Sequence, residues 1–476
     1  MASLIPTNNA KFTLSDAART TGGALHGPDA ECVGVTTDSR GDLRGRLFVA
    51  LRGERFDGHE FVQQAARLGA RGVIVEHRVA GLQVGSVVVE STLNALGALA
   101  AAHRVRWGKR IVAVAGSAGK TTTRSAITAV LGAVLAEPVH FAAGNLNNLI
   151  GVPMVLLGLE PEHALGVVEV GTNAPGEVRR LSLMAAPDLA VLTLIGIEHS
   201  EGLGDLSGIE REEGEIWSGL AARGVALCNA DDARVLNTVA RARPGRTLSY
   251  GLKGENYRLV ARASTPLGGS RLEIERRTEL VRDRVTLETR LLGDAGAYAT
   301  LAALAVGEWA AERPLDPAQV SAALSGAGEP GRLTPISLAD STVVLDDSYN
   351  SNPASVSSSV TTARELAQAR ASRLVLVIGE MRELGALSVA EHRAVGELLA
   401  ESGAAVLVAV SGDAELFLPA AQRAGLDATF AADAERALGE LLPRLRPGDV
   451  VLIKASRGVH AEKVVQGIVE AIGRAA

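Results

Sequence analysis

The chain has 476 residues and a mass of 49.2 kDa, and its 48 basic and 54 acidic side chains give a net charge of −6. That length exceeds one ordinary core and predicts about two to four domains. The mild acidity argues against a dedicated nucleic-acid binder, and two cysteines, Cys32 and Cys228, are too few for a disulfide scaffold or a cysteine-based zinc site. Six of the basic residues are lysines (Lys11, Lys109, Lys120, Lys253, Lys454 and Lys463), so chemistry that needs an amine has few candidates.

The first twenty residues, MASLIPTNNAKFTLSDAART, lack a basic segment followed by an apolar run, and no later stretch approaches about 18 unbroken apolar residues. A cytoplasmic, soluble protein without signal peptide or membrane span is expected. Residues 1–108 mix short strands, GRLFVAL (45–51) and RGVIVE (71–76), with the turn-rich TTDSRGDLRG (36–45). From 109 the pattern changes. IVAVAG (111–116), LGVVEVG (165–171) and DLAVLTLIG (188–196) read as buried parallel strands, and 121–136 reads as a helix. From 313 the alternation restarts with TVVLDD (342–347), RLVLVIGE (373–380), AAVLVAV (404–410) and DVVLIKAS (449–456), after a linker flanked by Pro314 and Pro317. Repeated strand–helix alternation predicts α/β domains with mostly parallel sheets, divided at 1–108, 109–312 and 313–476.

The strongest local signal is GSAGKTTT, 116–123, placed between a β-branched strand and a helix. Gly116 and Gly119 allow the backbone N–H groups of Ser117 and Ala118 to turn toward phosphate oxygens. Lys120 neutralises β- and γ-phosphates, Thr121 or Thr122 presents a hydroxyl to Mg²⁺, and the helix N-terminus adds positive potential. The usual motif has four residues between its first glycine and its Gly-Lys pair. Val114 occupies that place here, so this is a shortened loop of the kind found in a subset of ATP-using ligases.

Glu169 ends the strand LGVVEV, where a carboxylate points into the ligand crevice of a parallel sheet. His199 follows the next apolar strand. Both are candidate Mg²⁺ ligands, since Mg²⁺ takes a few protein ligands beside phosphate oxygens and water.

These residues resemble the Mur ligases, ATP-dependent amide-forming enzymes of peptidoglycan synthesis. The resemblance runs through TTDSRGDLRGRLFVALRGERFDGHEF (36–61), GSAGKTTT, GNLNNLIGVP (144–153), EVGTNAPGEVRRL (169–181), EHSEGLG (198–204) and GEIWSGL (214–220). It continues in GRL (331–333), DDSYNSNPASV (346–356), IGEMRELG (378–385) and KASRGVHAEKVV (454–465). The last four are most similar to the branch that joins D-alanyl-D-alanine to UDP-N-acetylmuramoyl-tripeptide. The resemblance implies a smaller N-terminal α/β domain for the UDP end, a central ATP-binding P-loop domain and a C-terminal Rossmann-like domain; a monomer is expected. It implies an acyl phosphate made from the tripeptide carboxylate and ATP, then attacked by the dipeptide amine. It also implies roles for single residues. Asp38, Ser39 and Arg40 would meet the uridine nucleotide. Asn145 and Asn148 would lie beside ATP, with Arg332 on phosphate and Asp347 on ribose. Thr172 and Asn173 would meet the tripeptide end, and Asn350, Asn352 and Ser355 would shape the dipeptide side. Lys454 is a further functional candidate, and His199 is a candidate base as well as a candidate ligand.

Two departures from the family stand out. Ala295 and Gly296 replace the usual histidine–asparagine pair near the adenine, and Glu213 stands where the family carries a carbamylated lysine. We expect Glu213 to supply directly, toward a second Mg²⁺, the carboxylate that its relatives build, although a carbamylated lysine reaches roughly 3–4 Å further. The rivals are a folylpolyglutamate synthetase-like enzyme or an earlier Mur ligase, and a catalytically inert nucleotide-regulated binding protein.

Overall fold

A computed structural model describes residues 6–53, 56–142, 144–197, 200–265 and 268–475. Among the described residues the strands form four sheets. The N-terminal part holds a short antiparallel pair, Lys11–Thr13 with Glu31–Val33, and a five-stranded sheet. In that sheet Val35–Thr36, Leu47–Val49, Gly72–Val75 and Gly85–Val88 run parallel, and Ala24–His26 closes one edge antiparallel. The segments GRLFVAL and RGVIVE supply two of these strands, as their apolar runs predict.

The helix Thr92–Trp107 begins at Ser91, whose hydroxyl accepts the Asn94 N–H, and ends at Gly108 in the left-handed region. It packs into the same core as the central sheet: Leu96 and Leu99 share a cluster with Ile111, Leu156 and Leu181. Its buried Arg104 donates to the carbonyls of Ala185 and Ala186 at 2.9 and 3.0 Å.

The central sheet has nine strands. Arg110–Ala115 lies between Leu165–Glu169 and Leu189–Leu192, and Val225–Asn229 and Arg246–Gly251 follow outward, all parallel. Apart from the leading Arg110, the first four are buried along their whole length, which is what unbroken Val/Ile/Leu/Ala runs require when helices cover both faces. Beyond them the sheet differs from the mostly parallel expectation. Tyr257–Thr265, Gly269–Arg277 and Arg282–Thr289 add an antiparallel meander. Its strands alternate apolar and charged residues, so Leu259, Leu272, Ile274 and Leu287 face the core while the intervening Arg and Glu face water. The helix Gly293–Ala311 is apolar on nearly every side because it is sandwiched between this sheet and the P-loop helix Lys120–Val134.

Residues 315–327 also belong to that core. Asp316 caps the helix Pro317–Leu324, whose Val320 and Leu324 pack with Leu315 and Ala327 against Val130 and Leu131. Gln319 donates to the Ala133 carbonyl at 2.7 Å. The chain then crosses to the third sheet through 328–333, where Gly328, Gly331 and Leu333 have positive φ. That sheet runs in the order Thr334–Ser337, Val343–Asp347, Val450–Lys454, Leu374–Gly379, Val406–Val410, Asp427–Ala431, antiparallel only at its first pair. Val450–Lys454, last in sequence, is inserted in its middle, which brings Asp347 and Lys454 side by side at the carboxyl ends of neighbouring strands. Among the described residues no helix is long and apolar enough to cross a membrane.

Candidate active site

The P-loop leaves the strand Arg110–Ala115 through Gly116 at φ +124°, a conformation that favours glycine. A Cβ there would lie 2.2 Å from Thr193 Oγ1. Thr193 is a support that the sequence reading did not single out; its hydroxyl is within hydrogen-bonding distance of both the Ala118 carbonyl (2.7 Å) and the Ala115 carbonyl (3.1 Å). Ser117 N–H donates to Leu194 O at 2.8 Å, which fixes the loop to the neighbouring strand end. Gly119, also left-handed, opens the helix Lys120–Val134 without a side-chain cap. A helix start that carries no capping side chain is an anion site in form. The buried Ser117 hydroxyl inside the loop has no hydrogen-bond partner, and Lys120 Nζ curls back to Gly116 O at 2.5 Å. Gly116→Ala is expected to abolish binding of a fluorescent ADP analogue, because both the φ and the space forbid the methyl group; binding within threefold of the parent would contradict this reading of the loop.

Of the two candidate threonines, Thr121 is the one joined to Glu169: its hydroxyl donates to Oε2 at 3.1 Å, and both are buried. The other carboxylate oxygen accepts Asn147 Nδ2 at 3.0 Å. Asn147 was not among the asparagines singled out, although GNLNNLIGVP contains it. Its carbonyl also accepts the Gly171 N–H, so it braces the end of the Glu169 strand. Asn148, expected beside the nucleotide, accepts the N–H groups of Ile150 and Gly151 with Oδ1 at the start of the helix Gly151–Leu157. Asn145 contributes its carbonyl to the Asn147 N–H.

Glu213 lies at the end of the helix Leu206–Gly214 and is fully buried, which excludes a solvated surface glutamate. Its Oε2 accepts the Gly116 N–H at 2.8 Å, so the carboxylate holds the root of the P-loop. Its neighbour Glu212, not foreseen, accepts the N–H groups of Gly176 and Val178 at 2.7 and 2.8 Å and the Thr172 hydroxyl at 3.3 Å. Asn173 donates its N–H to Glu177 at 2.7 Å. Thr172 and Asn173 thus form the entry to the helix Glu177–Ala185, anchored on Glu212. His199 lies outside the described residues.

Among the described residues there is no cluster of three or more His, Cys, Asp and Glu side chains that could hold a metal. Magnesium does not need one. A threonine hydroxyl and a carboxylate at one P-loop, with phosphate oxygens and water completing the shell, suit it, and Thr121 with Glu169 is such a pair.

The third unit brings Tyr349 toward this centre. Arg332 stacks on its ring at 4.0 Å, and Arg457 lies 5.1 Å from the same ring with Nη1 donating to the hydroxyl at 3.1 Å. Burial pushes the Tyr349 hydroxyl above its ordinary pKa, the two arginines oppose this, and the Glu169 charge adds to it. Tyr349 and Arg457 lie within DDSYNSNPASV and KASRGVHAEKVV, where spacing along the chain assigns them no role. Asp347 is enclosed: Lys454 Nζ and Ser359 Oγ both donate to Oδ2 at 2.6 Å, and the Leu333 N–H donates to Oδ1. Lys454 also reaches the Asn350 carbonyl at 3.1 Å. Asn352 as N-cap and Ser355 in the first turn form a reciprocal capping box on either side of Pro353, so their side chains start the helix Pro353–Ala369. A cleft of about 870 Å³ runs from Gly331, Tyr349 and Arg457 along the strand Thr334–Ser337 to Val465 and Arg474.

In the N-terminal unit, Asp38 closes a local turn on Arg40, accepting its backbone N–H and the Nε and Nη2 of its guanidinium at 2.7–2.9 Å. That pairing holds the Asp38 carboxyl below its usual range. Ser39 is half-buried in the same turn.

A P-loop with its threonine on a strand-end carboxylate, faced by an arginine–tyrosine stack from a third α/β unit, defines a multidomain nucleotide-dependent enzyme. Three consecutive stretches match families described as Mur ligase family, catalytic domain (31–106), Mur ligase middle domain (114–307) and Mur ligase, glutamate ligase domain (331–457). The chain belongs to the Mur ligase family. It is 34% identical over 462 residues to the UDP-N-acetylmuramoyl-tripeptide–D-alanyl-D-alanine ligase of Escherichia coli, covering 96% of this chain and 98% of that one. To the enzyme of the same name from Bacillus subtilis it is 31% identical, with 97% and 99% covered. Its fold matches crystal structure I of MurF from Acinetobacter baumannii with a TM-score of 0.86 at 29% identity, covering 97% and 99%. Within the family it stands in the branch of these tripeptide–D-alanyl-D-alanine ligases, known as MurF.

Proposed function

We propose that this chain joins D-alanyl-D-alanine to UDP-N-acetylmuramoyl-tripeptide at the expense of ATP, as a cytoplasmic monomer making peptidoglycan precursor. The observation that carries the reading is the buried Thr121–Glu169 pair at a glycine-built phosphate loop, with Tyr349 of the third unit near enough to feel the Glu169 charge and Arg332 stacked on its ring. A carboxylate is a poor acyl donor because its leaving group would be oxide. Transfer of the γ-phosphoryl group to the tripeptide carboxylate oxygen breaks the bond to ADP and gives an acyl phosphate. The dipeptide amine, neutral after losing its proton, then attacks the acyl carbon, and phosphate leaves with the electrons of the C–O bond.

In this reading the loop residues Gly116–Thr122 cradle the phosphates and Lys120 offsets the charge that spreads over the transferring group. Thr121 and Glu169, and by the family resemblance His199 and Glu213, would hold Mg²⁺, which would supply charge neutralisation at the phosphates. Arg332 would reach phosphate by leaving its stack on Tyr349. Asp347 would orient the ribose from the third unit, its position fixed by Lys454. Asp38, Ser39 and Arg40 would receive the uridine end, Thr172 and Asn173 the tripeptide end. We place the limit of the third unit near 328 rather than at 313, because Leu315, Val320, Leu324 and Ala327 share the central core.

Phosphate release measured with each substrate omitted in turn tests the proposal. Release that needs ATP, UDP-N-acetylmuramoyl-tripeptide and D-alanyl-D-alanine together is expected; turnover unaffected by either acceptor would overturn it.

A further inference from the structure

Arg124 is the least expected charged residue of the central unit. It follows the P-loop threonines on the helix Lys120–Val134, and its side chain is only 2% exposed. A buried guanidinium needs a partner for its charge, and Arg124 has two. Its Nε faces Glu169 Oε2 at 3.4 Å, and its Nη2 makes a short ion pair with Glu329 Oε1. Glu169 is the carboxylate at the phosphate loop, whereas Glu329 belongs to the 328–333 segment that crosses to the third unit.

The contacts on either side of this bridge run the same way. Ser125, next to Arg124, accepts the Gly328 N–H at 3.0 Å. The Glu329 carbonyl accepts the Arg332 N–H at 3.1 Å and the Thr334 hydroxyl at 2.7 Å. Arg332 in turn stacks on Tyr349. One short path therefore leads from the Glu169 carboxylate, through a single buried cation, to the backbone that carries the third unit.

We propose that Arg124 is a positioning residue that links cation binding at Glu169 to the seating of the crossing segment, with Glu329 as the counter-charge that makes the link work. This rests on the reading of Glu169 as a carboxylate facing a divalent cation and nucleotide phosphates. A cation arriving at Glu169 Oε2 repels the guanidinium lying against the same oxygen. Glu329 gives that displaced positive charge a place to go, and taking it up tightens the hold on 328–333. The linkage is reciprocal: whatever strengthens the Arg124–Glu329 pair also frees Glu169 for the cation.

The test uses the full-length chain and the Glu329→Gln and Glu329→Asp variants. Glu329 is partly exposed, so its amide form is compatible with folding. Binding of a fluorescent ADP analogue is titrated with Mg²⁺, and hydrogen exchange of 328–334 is followed with and without Mg²⁺ and ADP. Glu329→Gln is expected to raise the Mg²⁺ midpoint about fivefold, as loss of one nearby counter-charge at intermediate dielectric implies. It is also expected to lose the Mg²⁺-dependent slowing of exchange at 328–334 expected of the parent. Glu329→Asp keeps the charge and stays within about twofold. A Glu329→Gln midpoint equal to that of the parent, with or without a lower melting temperature, overturns the inference and leaves a structural ion pair. A parent whose nucleotide binding ignores Mg²⁺ overturns the underlying reading of Glu169 instead.

Discussion

Replacing Lys120 with alanine lowers the rate of ATP-dependent phosphate release by about three orders of magnitude, the loss expected when the one cation of a phosphoryl-transfer loop is removed. No lysine occurs in the 132 positions between Lys120 and Lys253, and the nearest following cation, Arg124, is already committed to Glu169 and Glu329. Lys120 opens the helix at the point where the loop turns, and its amine already lies against the loop, 2.5 Å from Gly116 O. The charge is therefore held at the phosphates before they arrive. The side chain is half-buried and lies outside the apolar clusters, so the folded state survives. A thermal melt within about 2 °C of the parent, alongside the lost rate, separates chemistry from unfolding. Lys120→Arg does not restore the rate, because a planar fork does not replace a compact ammonium in so tight a loop. A Lys120→Ala rate within tenfold of the parent would remove the loop from the mechanism.

Glu213 is the second position where a large effect is expected. Glu213→Gln keeps a side-chain oxygen that can accept the Gly116 N–H, at nearly the same volume, and removes only the negative charge. A rate loss of about a hundredfold or more with an unchanged melt is the expected result, because a buried carboxylate at the root of a phosphate loop acts through its charge in a low-dielectric site. Glu213→Ala costs in addition roughly 1–3 kcal/mol of stability, since it leaves the Gly116 N–H without its acceptor. A merely structural acceptor would make the glutamine variant nearly silent. The family pattern at this position is a lysine that must react with CO₂, so a second measurement bears on the same residue. The parent is expected to keep its full rate in bicarbonate-free, CO₂-depleted buffer; a loss that bicarbonate restores would refute the idea that Glu213 supplies the carboxylate itself.

Much of the site is legible in the chain because it is local. GSAGKTTT carries its own geometry: two glycines reach positive φ, and the helix that follows is dictated by the same eight residues. Glu169 is readable because a strand of Leu, Gly and Val ends on it. The three asparagines of GNLNNLIGVP are different. All lie within four residues in a loop, and only the fold decides that Asn147 faces Glu169 while Asn148 Oδ1 accepts the N–H groups of Ile150 and Gly151. Asn352 and Ser355 are another such case: a capping box and a ligand-facing turn share the same letters, and the structure engages both side chains in the box. The antiparallel meander is hard to read because its alternating pattern begins where the buried parallel runs stop, and Pro314 and Pro317 draw the expected boundary to 313 although Leu315, Val320, Leu324 and Ala327 pack in the central core.

By itself the sequence determined what depends on neighbours along the chain: the α/β alternation, the phosphate loop, the strand-end carboxylate, and the ordered motifs that mark a Mur ligase. Only the tertiary structure decided what depends on neighbours across it. It put Glu213 in the interior against Gly116, 97 residues away in sequence, and Arg124 between Glu169 and a glutamate 205 residues further on. The physical reason is that a buried charge is tolerated only where the fold brings its partner, and the identity of that partner is fixed by packing of whole sheets and helices rather than by any spacing along the chain.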